Sequence, residues 1–144
     1  MPTILLADDD RLIGAALRRC IESFSIGVRS AHTVESAVRI ARHNSFDAIL
    51  LEFDLDSQRK ANPRSGGGLR VLHTLRTAGI ATPVLVMSAL TRDLYERKCL
   101  ESGADDFVVK ADGVARLIDR LRSQIRGVVG KPVVAASNGH RIIQ

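Results

Sequence analysis

The side chains able to do chemistry in this 144-residue chain collect where apolar runs stop. Ile4-Leu5-Leu6-Ala7 runs into Asp8, Asp9 and Asp10, and Ala48-Ile49-Leu50-Leu51 runs into Glu52. Val84-Leu85-Val86-Met87 ends at Ser88, and Phe107-Val108-Val109 ends at Lys110. Adjacent carboxylates suit a hard divalent cation, since magnesium takes one or two carboxylates and keeps waters that phosphate oxygens can replace. A third carboxylate facing them is either another ligand or a nucleophile for a phosphoryl group. An ammonium and a hydroxyl beside it would stabilise the added oxygens. The opposing explanation is helix capping, because acids ahead of a helix complement its dipole. Asp10 is read as such a cap, and Asp8 and Asp9 as members of the site.

These groups serve one site only if the strand ends meet. Short continuous apolar runs alternating with helix-like stretches read as buried parallel strands, whose carboxyl ends form the crevice where ligands bind. Five strand–helix pairs follow one another. The strands are expected near Thr3–Ala7, Ile26–Ala31, Ala48–Leu51, Pro83–Ser88 and Phe107–Val109. The first helix is expected to bury Ile13, Leu17, Cys20, Ile21 and Phe24, and the second, capped by Thr33, to bury Val34, Ala37, Val38 and Ala41. The third carries Leu69, Val71, Leu72 and Leu75, and the fourth starts at Thr91 or Asp93 and runs through Leu94, Lys98 and Leu100. The fifth, capped by Asp112, buries Val114, Leu117, Ile118, Leu121 and Ile125. Strict alternation implies a parallel sheet covered on both faces and wound right-handedly.

The chain length suits one domain. At 45% hydrophobic residues it is composed like a packed globule. No apolar stretch approaches the ~20 residues of a membrane span, and the opening Met1-Pro2-Thr3 lacks the basic segment of a signal peptide. Cys20 and Cys99 have no metal-ligand spacing around them and read as buried free thiols, so a reducing cytoplasm is expected. A net charge of +5 favours anionic partners. With only 3% aromatic residues, however, the chain lacks the stacking rings of a single-strand reader, and arginine-rich solvated helix faces explain the charge better.

Taken together, these segments resemble the response-regulator receiver (CheY-like) domain of two-component signalling, in order across residues 2–126. Leu5-Leu6-Ala7-Asp8-Asp9-Asp10 is similar to the family's acidic metal-binding opening, and Phe46 to Glu52 to the run that reaches its phospho-acceptor. Val86-Met87-Ser88-Ala89 matches the strand ending in the switch hydroxyl. Gly103 to Lys110 matches the last strand and its lysine, with Phe107 at the aromatic switch position. The resemblance implies a flavodoxin-like (βα)5 doubly wound sandwich, with a five-stranded parallel sheet in the order 2-1-3-4-5. It implies a bacterial phosphorelay module with magnesium at Asp8, Asp9 and residue 52.

Two departures set the expectations for function. The family's acceptor is an aspartate, and the aligned residue is Glu52, whose extra methylene pushes the carboxylate toward the place of a phosphoryl group and toward Lys110. Transfer depends steeply on geometry, so the expectation is an atypical receiver that acts by protein–protein interaction without conventional phosphorylation. Magnesium binding should then be weak or absent. Asp54 is the substitute acceptor the sequence offers. The alternative is a phosphorylatable receiver of a DNA-binding regulator, and further off a magnesium-dependent phosphotransfer enzyme. The absence of a second domain and of an obvious general acid speaks against the enzyme, since His32, His43, His73 and His140 are expected away from the rim.

The second departure is the connection from Phe53 to Gly68, where polar residues including Arg59, Lys60 and Arg64 precede Gly66-Gly67-Gly68. It is expected to be a tolerated surface insertion. The expected partner is a signalling protein or output domain, with DNA reached only through such a domain and no membrane contact. A homodimer is expected through the fourth helix, fifth strand and fifth helix, drawing on Arg97, Lys98, Arg116, Arg120, Glu96, Glu101, Asp105, Asp106 and Asp119. Residues 1–126 form the receiver. Residues 127–144 are expected to be a linker or tail, where Asn138-Gly139 suits a hairpin turn.

Overall fold

The structure, a computed structural model, describes residues 1–56, 66–89 and 92–129. Five strands, β1 (Thr3–Ala7), β2 (Gly27–Ala31), β3 (Ala48–Glu52), β4 (Val84–Ser88) and β5 (Asp106–Val109), alternate with five helices. These are α1 (Arg11–Glu22), α2 (Val34–His43), α3 (Gly67–Thr77), α4 (Arg92–Glu101) and α5 (Val114–Val129), with a one-turn 3-10 helix at Lys110–Asp112 ahead of α5. The strands pair in parallel in the order β2-β1-β3-β4-β5, as the resemblance implied. α5 continues to Val129, past the expected boundary at 126. The expected hairpin around Asn138-Gly139, the insertion carrying Arg59, Lys60 and Arg64, and Thr91 lie outside the described residues.

Continuous apolar runs form these strands because both faces of the sheet are covered. Leu5, Ala7, Ile49, Leu51, Val84, Val86 and Phe107 point to one side, against α2, α3 and Cys99 of α4. Ile4, Leu6, Ala48, Leu50, Leu85, Met87 and Val108 point to the other, against α1 and α5. The alternation has the strand period of two. Each fully buried Leu or Ile contributes roughly 1.5–3 kcal/mol.

Several side chains expected in the core are not there. Ile13, Phe24 and Val114 are exposed. Ile13 and Val114 lie in the first turns of α1 and α5. Phe24 lies past the end of α1 and stacks under the guanidinium of Arg122, 5.2 Å from the ring centre. Among the described side chains of α4 Cys99 is buried and Leu100, one position on, is exposed. Cys99 is buried, with its thiol pushed up to about 12 by that burial, while Cys20 is only half-buried.

Two clamps missed in the sequence tie the lower sheet to its helices. Arg76, at the end of α3, donates to the carbonyls of Gly103, Ile80 and Thr82, and to Asp105. Asp105 also accepts from the amide of Val84, where β4 starts. Arg120 of α5 makes two bonds to Asp106, at 2.7 and 2.6 Å. Asp105, Asp106 and Arg120 are therefore engaged inside the domain, and of the three Asp105 stays exposed.

Candidate functional site at the carboxyl edge of the sheet

Strand register brings the chemistry-bearing residues together. Ala7 lies opposite Leu51, so Asp8 and Glu52, one residue further on, emerge side by side. Glu52 lies opposite Met87 and Ser88 opposite Val109, which sets Ser88 and Lys110 on the next steps of the same edge. Asp8 is 2% exposed, Glu52 5% and Ser88 0%, while the Lys110 side chain keeps 31% of its surface. Phe107, one turn of the pleat below, is 1% exposed and turned inward.

The ammonium of Lys110 binds Glu52 Oε1 directly, and Asp8 Oδ2 lies 3.8 Å from it. Glu52 Oε2 accepts from the amide of Asp54 at 3.2 Å, so both of its oxygens are engaged. Asp8 Oδ1 accepts from the amide of Asp10 at 2.9 Å. Asp10 itself accepts from Ile13 N at 3.0 Å and is the N-cap of α1, as expected. Burial pushes both Glu52 and Asp8 above the ordinary carboxylate range, against the pull of Lys110. Burial works to lower the Lys110 value, but Glu52, Asp8 and Asp10 together outweigh it and hold the ammonium above the usual lysine range. The two directions are compatible: three acids share one ammonium, and the glutamate is far more deeply enclosed than the lysine.

Other expectations are redistributed. Asp56, just past the edge, has a left-handed backbone at φ 68°, and its Oδ2 accepts from the amide of Val34 at 3.0 Å, at the start of α2. Thr33 caps that helix in a reciprocal box with Ser36. Asp112 lies in the 3-10 turn, with Arg116 Nε 3.8 Å away. His32 was expected away from the rim, yet its Nδ1 donates to the Asp8 carbonyl at 3.0 Å. His32 follows Ala31, which lies opposite Ala7, so it stands beside Asp8.

Two of the three glycines, Gly67 and Gly68, turn out to be a packing device, while Gly66 takes a left-handed backbone at φ 71°. A Cβ on Gly67 would lie 1.9 Å from the Leu55 carbonyl oxygen, and one on Gly68 2.5 Å from that of Glu52. Gly68 N donates to the Phe53 carbonyl at 3.0 Å. The first turn of α3 thus rests on the backbone that leaves Glu52, and only glycine allows that approach.

Asp8 Oδ2 and Asp9 Oδ2 are buried and have no hydrogen-bond partner among the described residues. That is the donor set a hard cation takes, so these two residues fit magnesium. Among the described residues no group of three His, Cys, Asp or Glu side chains is arranged to hold a metal, and Glu52 is turned to Lys110 instead.

The carboxyl edge of the parallel five-stranded sheet thus gathers two acids, a third carboxylate, a hydroxyl and a lysine. The model of the response regulator receiver domain matches residues 4–122, and the chain belongs to that family. It is 26% identical over 140 residues to the cell cycle response regulator CtrA of Brucella ovis, covering 97% of this chain and 57% of the relative. The chain thus spans little more than half the length of that curated relative. Among solved structures it is similar to the receiver domain of the Francisella response regulator 1452, at 28% identity and a TM-score of 0.76, covering 88% of this chain and 98% of that one. The Thermotoga maritima response regulator TrrA, solved in complex with Mg(2+)-BeF, shares the fold at 18% identity and a TM-score of 0.71, covering 86% of this chain and 99% of that one. No helix among the described residues is long and apolar enough to cross a membrane.

Proposed function

We propose that this chain is an atypical receiver that signals by protein contact, with Glu52 paired to Lys110 where other members of the family carry an aspartate for phosphoryl transfer. The observation that carries this reading is the Lys110–Glu52 ion pair. The extra methylene brings the carboxylate onto the ammonium, and the second oxygen is taken by the Asp54 amide. A nucleophile held at both oxygens is poorly placed for in-line attack. The lysine is already engaged, so the edge has in place a contact that a phosphoryl group would otherwise supply. The module performs no turnover of its own.

Asp8 and Asp9 would hold magnesium, which would supply positive charge for phosphoryl oxygens. With Glu52 drawn to Lys110 only two carboxylates remain for the ion, so binding is weak. The partner is a signalling protein or an output domain, and any contact with DNA runs through such a domain. A two-fold dimer through α4, β5 and α5 would rest on Arg97, Lys98, Glu101 and Asp119, which are exposed.

Thermal melts with magnesium and beryllofluoride test the reading, since a ligand that binds the folded state raises the midpoint. Glu52→Asp should gain a clear upward shift and the native chain none. An equal shift in both would assign the chain to the phosphorylatable receivers.

A further inference from the structure

β2 is an outer strand: it pairs with β1 and, among the described residues, with no strand on its other side. Gly27 N donates to the Pro2 carbonyl at 2.8 Å, and the Ala31 carbonyl accepts from Asp8 N at 3.0 Å. Backbone groups of successive strand residues point to opposite sides, so Gly27, Arg29 and Ala31 bond toward β1. The N–H and C=O of Val28 and Ser30 are therefore turned to the open side. Such a row is a template for another strand.

The side chains along this edge are basic. Leu5 lies opposite Arg29 and Ala7 opposite Ala31. Leu5, Ala7 and Ala31 belong to the core beneath α2 and α3, so Arg29 emerges on the α2 side. There Arg29, Arg39, Ile40, His43 and Asn44 line a groove of about 260 Å³. Through Arg39 and His43 it runs into an open groove of about 560 Å³ along α2, lined also by Val34, Val38 and Arg42, with Glu35 at its far end. Arg29, Arg39 and Arg42 are exposed, and no acid among the described residues pairs with them. Arg18, Arg76, Arg116 and Arg120, by contrast, are held by Glu22, Asp105, Asp112 and Asp106.

These features select the occupant. A second copy of the chain would bring Arg29 against a strand of like charge, which opposes pairing. A small anion alone would meet the negative end of the α2 dipole and leave Val34 and Val38 uncovered. An extended acidic segment answers both demands. Its backbone completes the bonds of Val28 and Ser30, and every second side chain falls on the Arg29 side.

We propose that the β2 edge is a docking strip for an extended acidic segment of a partner protein, added as a further strand beside β2 with its acids on Arg29 and Arg39. β1 separates this strip from Glu52, so the proposal is independent of whether Glu52 accepts a phosphoryl group.

The probe is an end-capped peptide in which glutamate alternates with valine and threonine, added to the full chain, with hydrogen exchange read at each β2 amide. Val28 and Ser30 should exchange about tenfold more slowly at saturating peptide, because they gain the new bonds. Arg29, already bonded to β1, should not change. Affinity measured by fluorescence anisotropy should fall about tenfold or more when Arg29→Glu and Arg39→Glu are combined, and should fade with added salt. If that variant folds poorly, Arg29→Gln with Arg39→Gln gives a smaller loss of the same sign. The lysine counterpart of the peptide should not bind. Failure of the glutamate peptide to bind, binding that leaves Val28 and Ser30 unprotected, or binding indifferent to both arginine pairs would overturn the proposal. So would displacement of the peptide by a lower concentration of inorganic phosphate or single-stranded DNA, which would mark a general anion patch.

Discussion

Replacing Gly68 by alanine should destabilise the protein although it puts a better helix former into the first turn of α3. In an unconstrained helix interior Gly→Ala gains roughly 0.5–1 kcal/mol. At Gly68 the new methyl would lie 2.5 Å from the Glu52 carbonyl oxygen, 2.9 Å from the Phe53 Cα and 3.0 Å from the Phe53 oxygen. All three are backbone atoms of a segment fixed by the Phe53–Met87 and Gly68–Phe53 hydrogen bonds. Ordinary contact requires α3 or that segment to move by roughly 0.5–1 Å, a degree of overpacking that costs about 2–3 kcal/mol. For a domain of this size that is a fall in Tm of about 10 °C. Gly14→Ala is the internal control, because its Cβ would meet only the Asp8 Cβ at an easy 3.9 Å, and it should gain the usual helix increment. Calorimetric melts of both variants against the native chain decide the matter. If Gly68→Ala is neutral or stabilising while Gly14→Ala behaves as expected, α3 does not rest on the residue 52–53 backbone and the account of the edge is wrong.

The remaining predictions concern charge. Burial raises the Glu52 value above 4.5 even with Lys110 attached, so its ionised form opposes folding; that penalty is full above the folded value and absent below about pH 4.5. Urea unfolding should therefore find Glu52→Gln at least as stable as the native chain near neutrality, with the gap closing as pH falls toward 5. A loss of about 3–5 kcal/mol at neutral pH, the usual result of breaking a buried pair, would show that Lys110 outweighs burial. Arg76→Ala strands the carbonyls of Gly103, Ile80 and Thr82 and one oxygen of Asp105, and should cost about 2–4 kcal/mol in the same assay. Arg76→Lys should recover little, since an ammonium cannot reproduce the planar fork.

The fold was legible because each strand is an apolar run capped by a polar group and each connection is a helix of normal period. Asp8, Glu52, Ser88 and Lys110 could be placed on one edge from that pattern alone, because parallel strands present their carboxyl ends together. The sequence was less informative where a side chain's task depends on a distant backbone. Nothing near Arg76 announces the carbonyls of Gly103 and Thr82, and Asp56 reaches an amide at Val34 that is remote in sequence. Gly67 and Gly68 read as loop residues because glycine marks both turns and close approaches, and only the packing of α3 on Leu55 and Glu52 separates the two. Helical periodicity also overstated the core at Ile13 and Val114, since it reports which residues share a face and not how completely that face is covered.

The central claim is that Glu52 is held by Lys110 and does not serve as a phosphoryl acceptor. Intact-mass spectrometry after incubation with acetyl phosphate and magnesium tests it most directly, with Glu52→Asp run in parallel. The account predicts an unchanged mass for the native chain and addition of one phosphoryl group to Glu52→Asp. A hydroxylamine-sensitive phosphoryl adduct on the native chain, mapped to Glu52 or Asp54, would contradict it.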